Sequence, residues 1–151
     1  MNSSPRISIL IPVRNDASVI GNCLDDIVKQ SFKDFELVVV DDGSTDETPQ
    51  LLDKIERQDT RARIIRTSAN GIVSALNIGL AECKGDYIAR MDADDRMEKT
   101  RLEKQLEMMI KNPDLDLIGC RVKGFTDTGT FPESGIQYQS WSNWNTRMQE
   151  G

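Results

Sequence analysis

The sequence predicts an α/β fold, a mostly parallel sheet with helices on both faces. Three observations carry this. Short apolar runs alternate with segments of helical periodicity through about 120 of the 151 residues. Such alternation implies parallel strands joined by right-handed crossovers. Phe35–Val40 (FELVVV) reads as an apolar run of the kind a strand needs when both of its faces are covered. The length suits one domain with a sizeable core.

Taken in order, Ile7–Pro12 (ISILIP) is a strand stopped by Pro12. Ala17–Lys29 is an amphipathic helix, with Val19, Ile20, Cys23, Leu24, Ile27 and Val28 at helical spacing. Phe35–Val40 is the second strand, and Asp46–Gln58 a helix striped by Leu51, Leu52 and Ile55. Arg63–Arg66 is a short third strand. Ile72–Cys83 is a helix with Val73, Leu76, Leu80 and Cys83 on one side, and Gly85 stands where a C-cap would be. Tyr87–Met91 is the fourth strand. A helix is then expected from about Arg96 to Asn112, with Leu102, Leu106, Met109 and Ile110 on one face, ended by Asn112–Pro113. Leu115–Cys120 is expected as a fifth strand running on toward Phe125. From Thr126 the chain turns polar, with Trp141 and Trp144 at a spacing that suits anchoring of a tail helix better than stacking on a sugar.

Composition narrows the chemistry. Apolar residues make up 38%, charged residues 29%, and the net charge is −6, a balance that argues against nucleic-acid binding. No apolar stretch is long enough for a membrane span, and no signal-type segment is present. The three cysteines form no CxxC, which argues against a zinc cluster or disulfide framework. The chain has no histidine, which removes Ser-His-Asp and Cys-His catalysis and imidazole ligands together. Carboxylates, hydroxyls, backbone groups or a bound ion are what remain.

In an open parallel sheet, ligands bind beyond the carboxyl ends of the strands. Those ends are Pro12–Asn15, Asp41–Ser44, Thr67–Gly71 and Met91–Asp95. In DAD, Asp92 and Asp94 can point to one side of an extended chain while Ala93 lets a ligand approach closely. Two hard carboxylates suit Mg²⁺ or Mn²⁺, whose other ligands come from phosphates and water. Alternatively, Asp94 or Asp95 caps the helix expected near Arg96. An EF-hand fails, because Arg96 and Met97 stand where an acid or amide and a glycine belong. In VVVDDGSTDET, Gly43 permits a sharp turn and Ser44, Thr45 and Asp46 can cap the next helix; two adjacent acids exceed what a cap needs. No GxGxxG or Walker A sequence is present.

The ordered set SILIPVRND, QSFKDFELVVVDDGSTDET and NGIVSALNIGLAECKGDYIARMDADD resembles the nucleotide-sugar-binding half of family-2 inverting glycosyltransferases of the GT-A fold, over roughly Ile7–Arg121. The resemblance implies a Rossmann-like nucleotide-diphospho-sugar transferase. Pro12, Val13 and Arg14 would line the nucleotide site, and Asp42 would accept a hydrogen bond from the base, usually uracil. Asp92 would meet the ribose or the metal shell, with Ala93 beside it, and Asp94 would coordinate Mn²⁺ or Mg²⁺ on the donor diphosphate. Asp95 becomes a helix cap. The acceptor would be a glycan or lipid-linked hydroxyl in bacterial surface polysaccharide synthesis, in the cytoplasm or peripherally at the inner face of the membrane.

Two departures stand out. Ala75-Leu76-Asn77 replaces the Ala-Arg-Asn of many relatives, and Leu76 fits the core stripe. The family's general base lies in an acidic motif after the donor half. Past Asp116 this chain has Asp127, Glu133 and Glu150, none in a matching context. Residues 1–125 are therefore expected to be the donor-binding domain and 126–151 the start of a truncated acceptor-side segment or a tail, with the base outside the chain. Two rivals stay open: a donor-binding module without catalysis, and a phospho-acceptor domain. The latter lacks its acids after the first strand, where Pro12-Val13-Arg14 stands.

Overall fold

Strands β1 (Ile7–Val13), β2 (Phe35–Asp41), β3 (Ala62–Arg66) and β4 (Tyr87–Arg90) form one parallel sheet in the order β3-β2-β1-β4. The coordinates are those of a computed structural model that describes residues 4–124. Helices α1 (Ile20–Val28), α2 (Thr48–Gln58), α3 (Ile72–Glu82) and α4 (Arg101–Lys111) alternate with the strands. The chain divides into two units, Met1–Leu106 and Glu107–Gly151, and the sheet lies in the first. Trp141, Trp144, Phe125, Asp127, Glu133 and Glu150 lie outside the described residues.

Successive strand residues point to opposite faces, so each face has its own core. On one face Ile7, Ile9, Ile11 and Val13 of β1 and Leu37 and Val39 of β2 pack with Ile20, Cys23, Leu24 and Ile27 of α1, Leu52 of α2, and Leu102 and Leu106 of α4. On the other, Leu10, Val38 and Val40 meet Ala75 of α3. Both faces are covered, which is why ISILIPV is buried throughout and polar alternation is absent. Each fully buried Ile or Leu contributes about 1.5–3 kcal/mol relative to exposure.

The α3 stripe is a correction. Ala75 and Gly79 face the sheet, whereas Val73 is 69% and Leu80 53% exposed. Leu76 and Cys83 pack only at the margin of that core. A Cβ on Gly79 would lie 2.3 Å from Leu10 Cδ1 and 2.8 Å from Val40 Cγ2. The helix therefore sits too close to the sheet for a large side chain at its centre, and small residues take the buried face.

Gly85 is not a C-cap, because α3 ends at Glu82 with Cys83 extended. It is required by close approach: a Cβ there would lie 2.5 Å from the Ser8 amide nitrogen and 2.7 Å from the Ile7 carbonyl carbon. The Gly85 amide donates to Ser8 Oγ at 2.8 Å.

The last helix starts at Arg101, not near Arg96, so Asp95 caps nothing. The chain just beyond α1 holds the intervening backbone. Gln30, fully buried, donates from Nε2 to the Glu98 carbonyl at 2.9 Å, and the Ser31 amide donates to the Lys99 carbonyl at 2.9 Å. The Glu98 carbonyl also accepts from the Arg101 amide at 2.9 Å, an i→i+3 bond just ahead of α4, and Met97 lies in the core at 5% exposure. The expected strand at Leu115–Cys120 is also absent. Residues 112–124 are irregular, and Leu117 is 83% exposed.

Candidate functional site

The strand order places a topological switch point beside β1. The connection through α1 leads from β1 to β2 on one side, while the connection through α3 leads from β3 back across to β4 on the other. Such a switch opens a crevice at the carboxyl ends of the strands. Here it is a cleft of about 340 Å³ lined by Pro12, Val13, Arg14, Asp16, Asp42, Gly71, Ile72, Ala75, Asp92, Ala93 and Asp94. All seven residues expected at the site from the sequence (Pro12, Val13, Arg14, Asp42, Asp92, Ala93 and Asp94) meet in it. The order also removes the phospho-acceptor alternative, whose doubly wound sheet runs 2-1-3-4-5.

The adjacent acids after β2 divide their work. Asp41 is a turn former: Oδ1 accepts from the Ser44 amide at 2.9 Å, across Gly43 at φ 72°. Asp42 is a clamp. Its Oδ1 accepts from Thr67 Oγ1 at 2.7 Å and from the Asn70 amide at 2.8 Å, while Oδ2 accepts from the Gly71 amide at 2.7 Å. The Thr67 hydroxyl, then the two amides and the Arg14 charge, hold the Asp42 carboxyl below the usual carboxylate range, against the opposing effect of desolvation. A carboxylate has about four lone-pair sites, so three bonds leave it room to accept one more.

The loops after β1 and β2 are stitched together. Asn15, at φ 57°, donates from its amide to Ser44 Oγ at 2.9 Å and accepts on Oδ1 from the Thr45 amide at 2.7 Å. The Asp16 amide donates to Thr48 Oγ1 at 3.0 Å, and the Ala17 amide to Asp46 Oδ2 at 3.1 Å. Asp46 also accepts from the Thr48 amide at 2.9 Å, as its place ahead of α2 suggests. This bracing leaves the Arg14 side chain exposed at the cleft, with no hydrogen bond to the described residues.

The acidic segment is a turn rather than a strand. The Met91 amide still donates to Leu10 at 3.1 Å, but the Asp95 amide donates to the Asp92 carbonyl at 3.2 Å. Asp92 Oδ1 accepts from Arg90 Nη2 at 2.7 Å. No hydrogen bond or ion pair among the described residues engages the Asp94 carboxylate. Ala93, 3% exposed, belongs to the core cluster and lines the cleft between the two acids in sequence. Burial raises the Asp95 carboxyl above its ordinary range, and the charges of Asp94 and Asp92 add to this. Of the two acids of this turn that line the cleft, Asp92 is paired with Arg90, while the Asp94 carboxylate keeps its capacity to accept. Among the described residues no group of three or more His, Cys, Asp or Glu is arranged to hold an ion alone. A pair of hard oxygen ligands beside an open cleft fits Mg²⁺ or Mn²⁺ that takes its remaining ligands from phosphate and water.

Sequence reasoning assigned no role to Asp16, Gly71, Ile72 or Ala75 at the cleft, nor to Thr67 beneath it. The Asn70-Gly71 pair ahead of a helix was the available signal, because Gly71 adopts φ 91°. Thr67 was placed only by its position in the strand end Thr67–Gly71, since a threonine after a strand is ordinary.

The family model for glycosyl transferase family 2 matches residues 8–150. The bifunctional glycosyltransferase pgtA of Dictyostelium discoideum is 41% identical over 143 residues, covering 84% of this chain and 19% of that protein. TarS residues 1–349 from S. aureus, in complex with UDP-GlcNAc, superposes with a TM-score of 0.68 at 25% identity, covering 81% of this chain and 37% of that one. The mannosyltransferase PcManGT from Pyrobaculum calidifontis, in complex with GDP-Man and Mn²⁺, gives 0.66 at 26% identity, covering 71% and 33%. The fold agrees with the expected GT-A, Rossmann-like type. The chain spans 14% to 52% of the length of the curated relatives compared. Among the described residues no helix is long and apolar enough to cross a membrane.

Proposed function

We propose, for a chain that belongs to glycosyl transferase family 2, that the cleft beside β1 binds the nucleoside diphosphate end of a sugar donor, a UDP-sugar. The observation that carries this is the meeting of Arg14, Asp42, Asp92 and Asp94 around one cleft at the switch point. UDP-GlcNAc in TarS and GDP-Man with Mn²⁺ in PcManGT support the donor class and the divalent ion.

Each residue then has a task. Pro12 and Val13 form the wall against the base, and Asp42 offers its remaining lone pair to a base N–H while holding the 67–71 loop in place. Arg14 offsets donor charge. Asp94, with Asp92, holds Mn²⁺ or Mg²⁺, and Ala93 keeps the floor low enough for the diphosphate to approach. The bound ion supplies Lewis-acid stabilisation to the departing nucleoside diphosphate. Donor binding is the activity proposed for these residues. Transfer with inversion to a glycan or lipid-linked hydroxyl, in surface polysaccharide synthesis, is proposed for the whole protein, with its general base beyond the residues assigned here.

Calorimetry tests this directly. UDP should bind the chain with Mn²⁺ present and lose affinity in chelator. Asp94→Asn should weaken binding at least as much as loss of an outer-shell partner, roughly 10-fold or more. Equal affinity with and without chelator would sink the metal role, and no binding under either condition would sink the donor reading.

A further inference from the structure

Asp26 belongs to α1, a helix that lines none of the cleft, yet its carboxylate is bound to the segment that follows the acidic turn. Arg96 donates from Nε to Asp26 Oδ2 at 2.6 Å and from Nη2 to Oδ1 at 2.9 Å, a bidentate pair. The Met97 amide adds a third bond to Oδ2 at 3.2 Å. The Asp26 side chain is 15% exposed, and the Arg96 hydrogen bond is the largest influence holding its carboxyl below the ordinary range. One turn earlier on the same helical face, the Cys23 thiol reaches the Asp92 carbonyl at 3.7 Å. One turn later, Gln30 holds the Glu98 carbonyl and accepts from the Leu102 amide at 3.3 Å. Positions 23, 26 and 30 thus fasten the backbone from Asp92 to Leu102 at three levels.

We propose that Asp26 is a positioning residue for the donor site: through Arg96 and the Met97 amide it fixes the Asp92–Asp94 turn. This rests on the donor reading above. The turn is too short to define its own shape, and its acids repel one another. Without an anchor the two carboxylates would splay, and a two-ligand ion site depends on their relative placement. Outer partners of ligating groups characteristically have this effect.

The fold contains its own control. Arg61 donates from Nε to Asp59 Oδ1 at 2.9 Å and from Nη2 to Oδ2 at 2.6 Å, and its amide donates to Asp59 Oδ1 at 3.0 Å. This pair has the same three-bond pattern and similar burial, with the Asp59 side chain 14% exposed. It sits ahead of β3, at the opposite end of the sheet from the cleft.

The experiment compares Asp26→Asn, Arg96→Gln and Asp59→Asn in the 151-residue chain. The readouts are calorimetric UDP affinity with Mn²⁺ and amide hydrogen exchange across residues 92–97. Asp26→Asn and Arg96→Gln should each lower UDP affinity roughly 10-fold or more and speed exchange in that segment. Asp59→Asn should lower the melting temperature and leave both readouts unchanged. Unchanged exchange in Asp26→Asn, or equal affinity losses in Asp26→Asn and Asp59→Asn, overturns the proposal. If the wild-type chain binds no UDP, the donor reading fails, and the exchange data alone decide whether Asp26 fixes the turn. Should Asp26→Asn not fold, Arg96→Gln, altered at a half-exposed side chain, gives the same two readouts.

Discussion

The carboxylate of Asp42 and the amide of Gly71 meet at 2.7 Å, joining the end of β2 to the start of α3 beside the cleft that both residues line. This bond needs the ionised acid. The Thr67 hydroxyl, foremost, and the Asn70 and Gly71 amides depress the folded pKa. Unfolding returns the group to about 3.9. The stabilisation is therefore fully present above that value and is lost as pH falls through the lower folded value. Asp42→Asn should melt below the wild type at neutral pH, with the gap constant down to about pH 5 and closing under about pH 4. Thermal melts across that range check it.

Gly71 at φ 91° and ψ 161° occupies a region essentially reserved for glycine. A Cβ there would touch nothing within 4 Å, so any cost of Gly71→Ala is conformational and not steric. The variant should lose about 1–3 kcal/mol in urea unfolding. Gly21→Ala, in α1 with equally open surroundings, should gain up to about 1 kcal/mol instead.

Arg90 and Asp92 form an exposed ion pair at 2.7 Å, with side chains 53% and 43% exposed. Such pairs stabilise by about 0–1 kcal/mol, so Arg90→Gln should barely alter the melting temperature. It should strengthen Mn²⁺ binding in the absence of nucleotide by a few-fold, because a competing cation leaves the Asp92 carboxylate. Mn²⁺ titration followed by electron paramagnetic resonance reads this, and weaker binding would contradict it.

Burial, with the negative charges of Asp95, Asp26 and Asp94, pushes the Cys23 thiol up to about 12. Almost no thiolate forms at pH 8, and the side chain is fully buried. Cys120 is exposed. Alkylation at pH 8 should label Cys120 within minutes and leave Cys23 unmodified until denaturant is added, as peptide mapping would show.

The strands and the cleft acids were legible because their signals are local. ISILIP and FELVVV need only their own composition to be read as buried strands, and acids at strand ends converge once the sheet is parallel. What escaped reading depends on distant partners. Asp26 looks like the wet side of an amphipathic helix until Arg96, 70 residues away, reaches it. The stretch Arg96–Thr100 is compatible with helix by composition, and its bonds to Asp26, Gln30 and Ser31 are made with residues 68 to 71 positions away. In α3 the apolar side chains misled, because a helix pressed against a sheet buries its smallest residues.

That pressed helix has a consequence for the cleft. Ala75 and Gly79 act as spacers, setting how near the axis of α3 lies to Leu10 and Val40. The first turn of the same helix carries Ile72 and, just before it, Gly71, which line the cleft together with Asp92 and Asp94. The placement of this wall thus rests on two residues of minimal size, of which Ala75 lines the cleft and Gly79 does not. A larger residue at 79 would have to displace Leu10 or Val40, so the setting of this wall of the cleft depends on a position in the core that lines none of it.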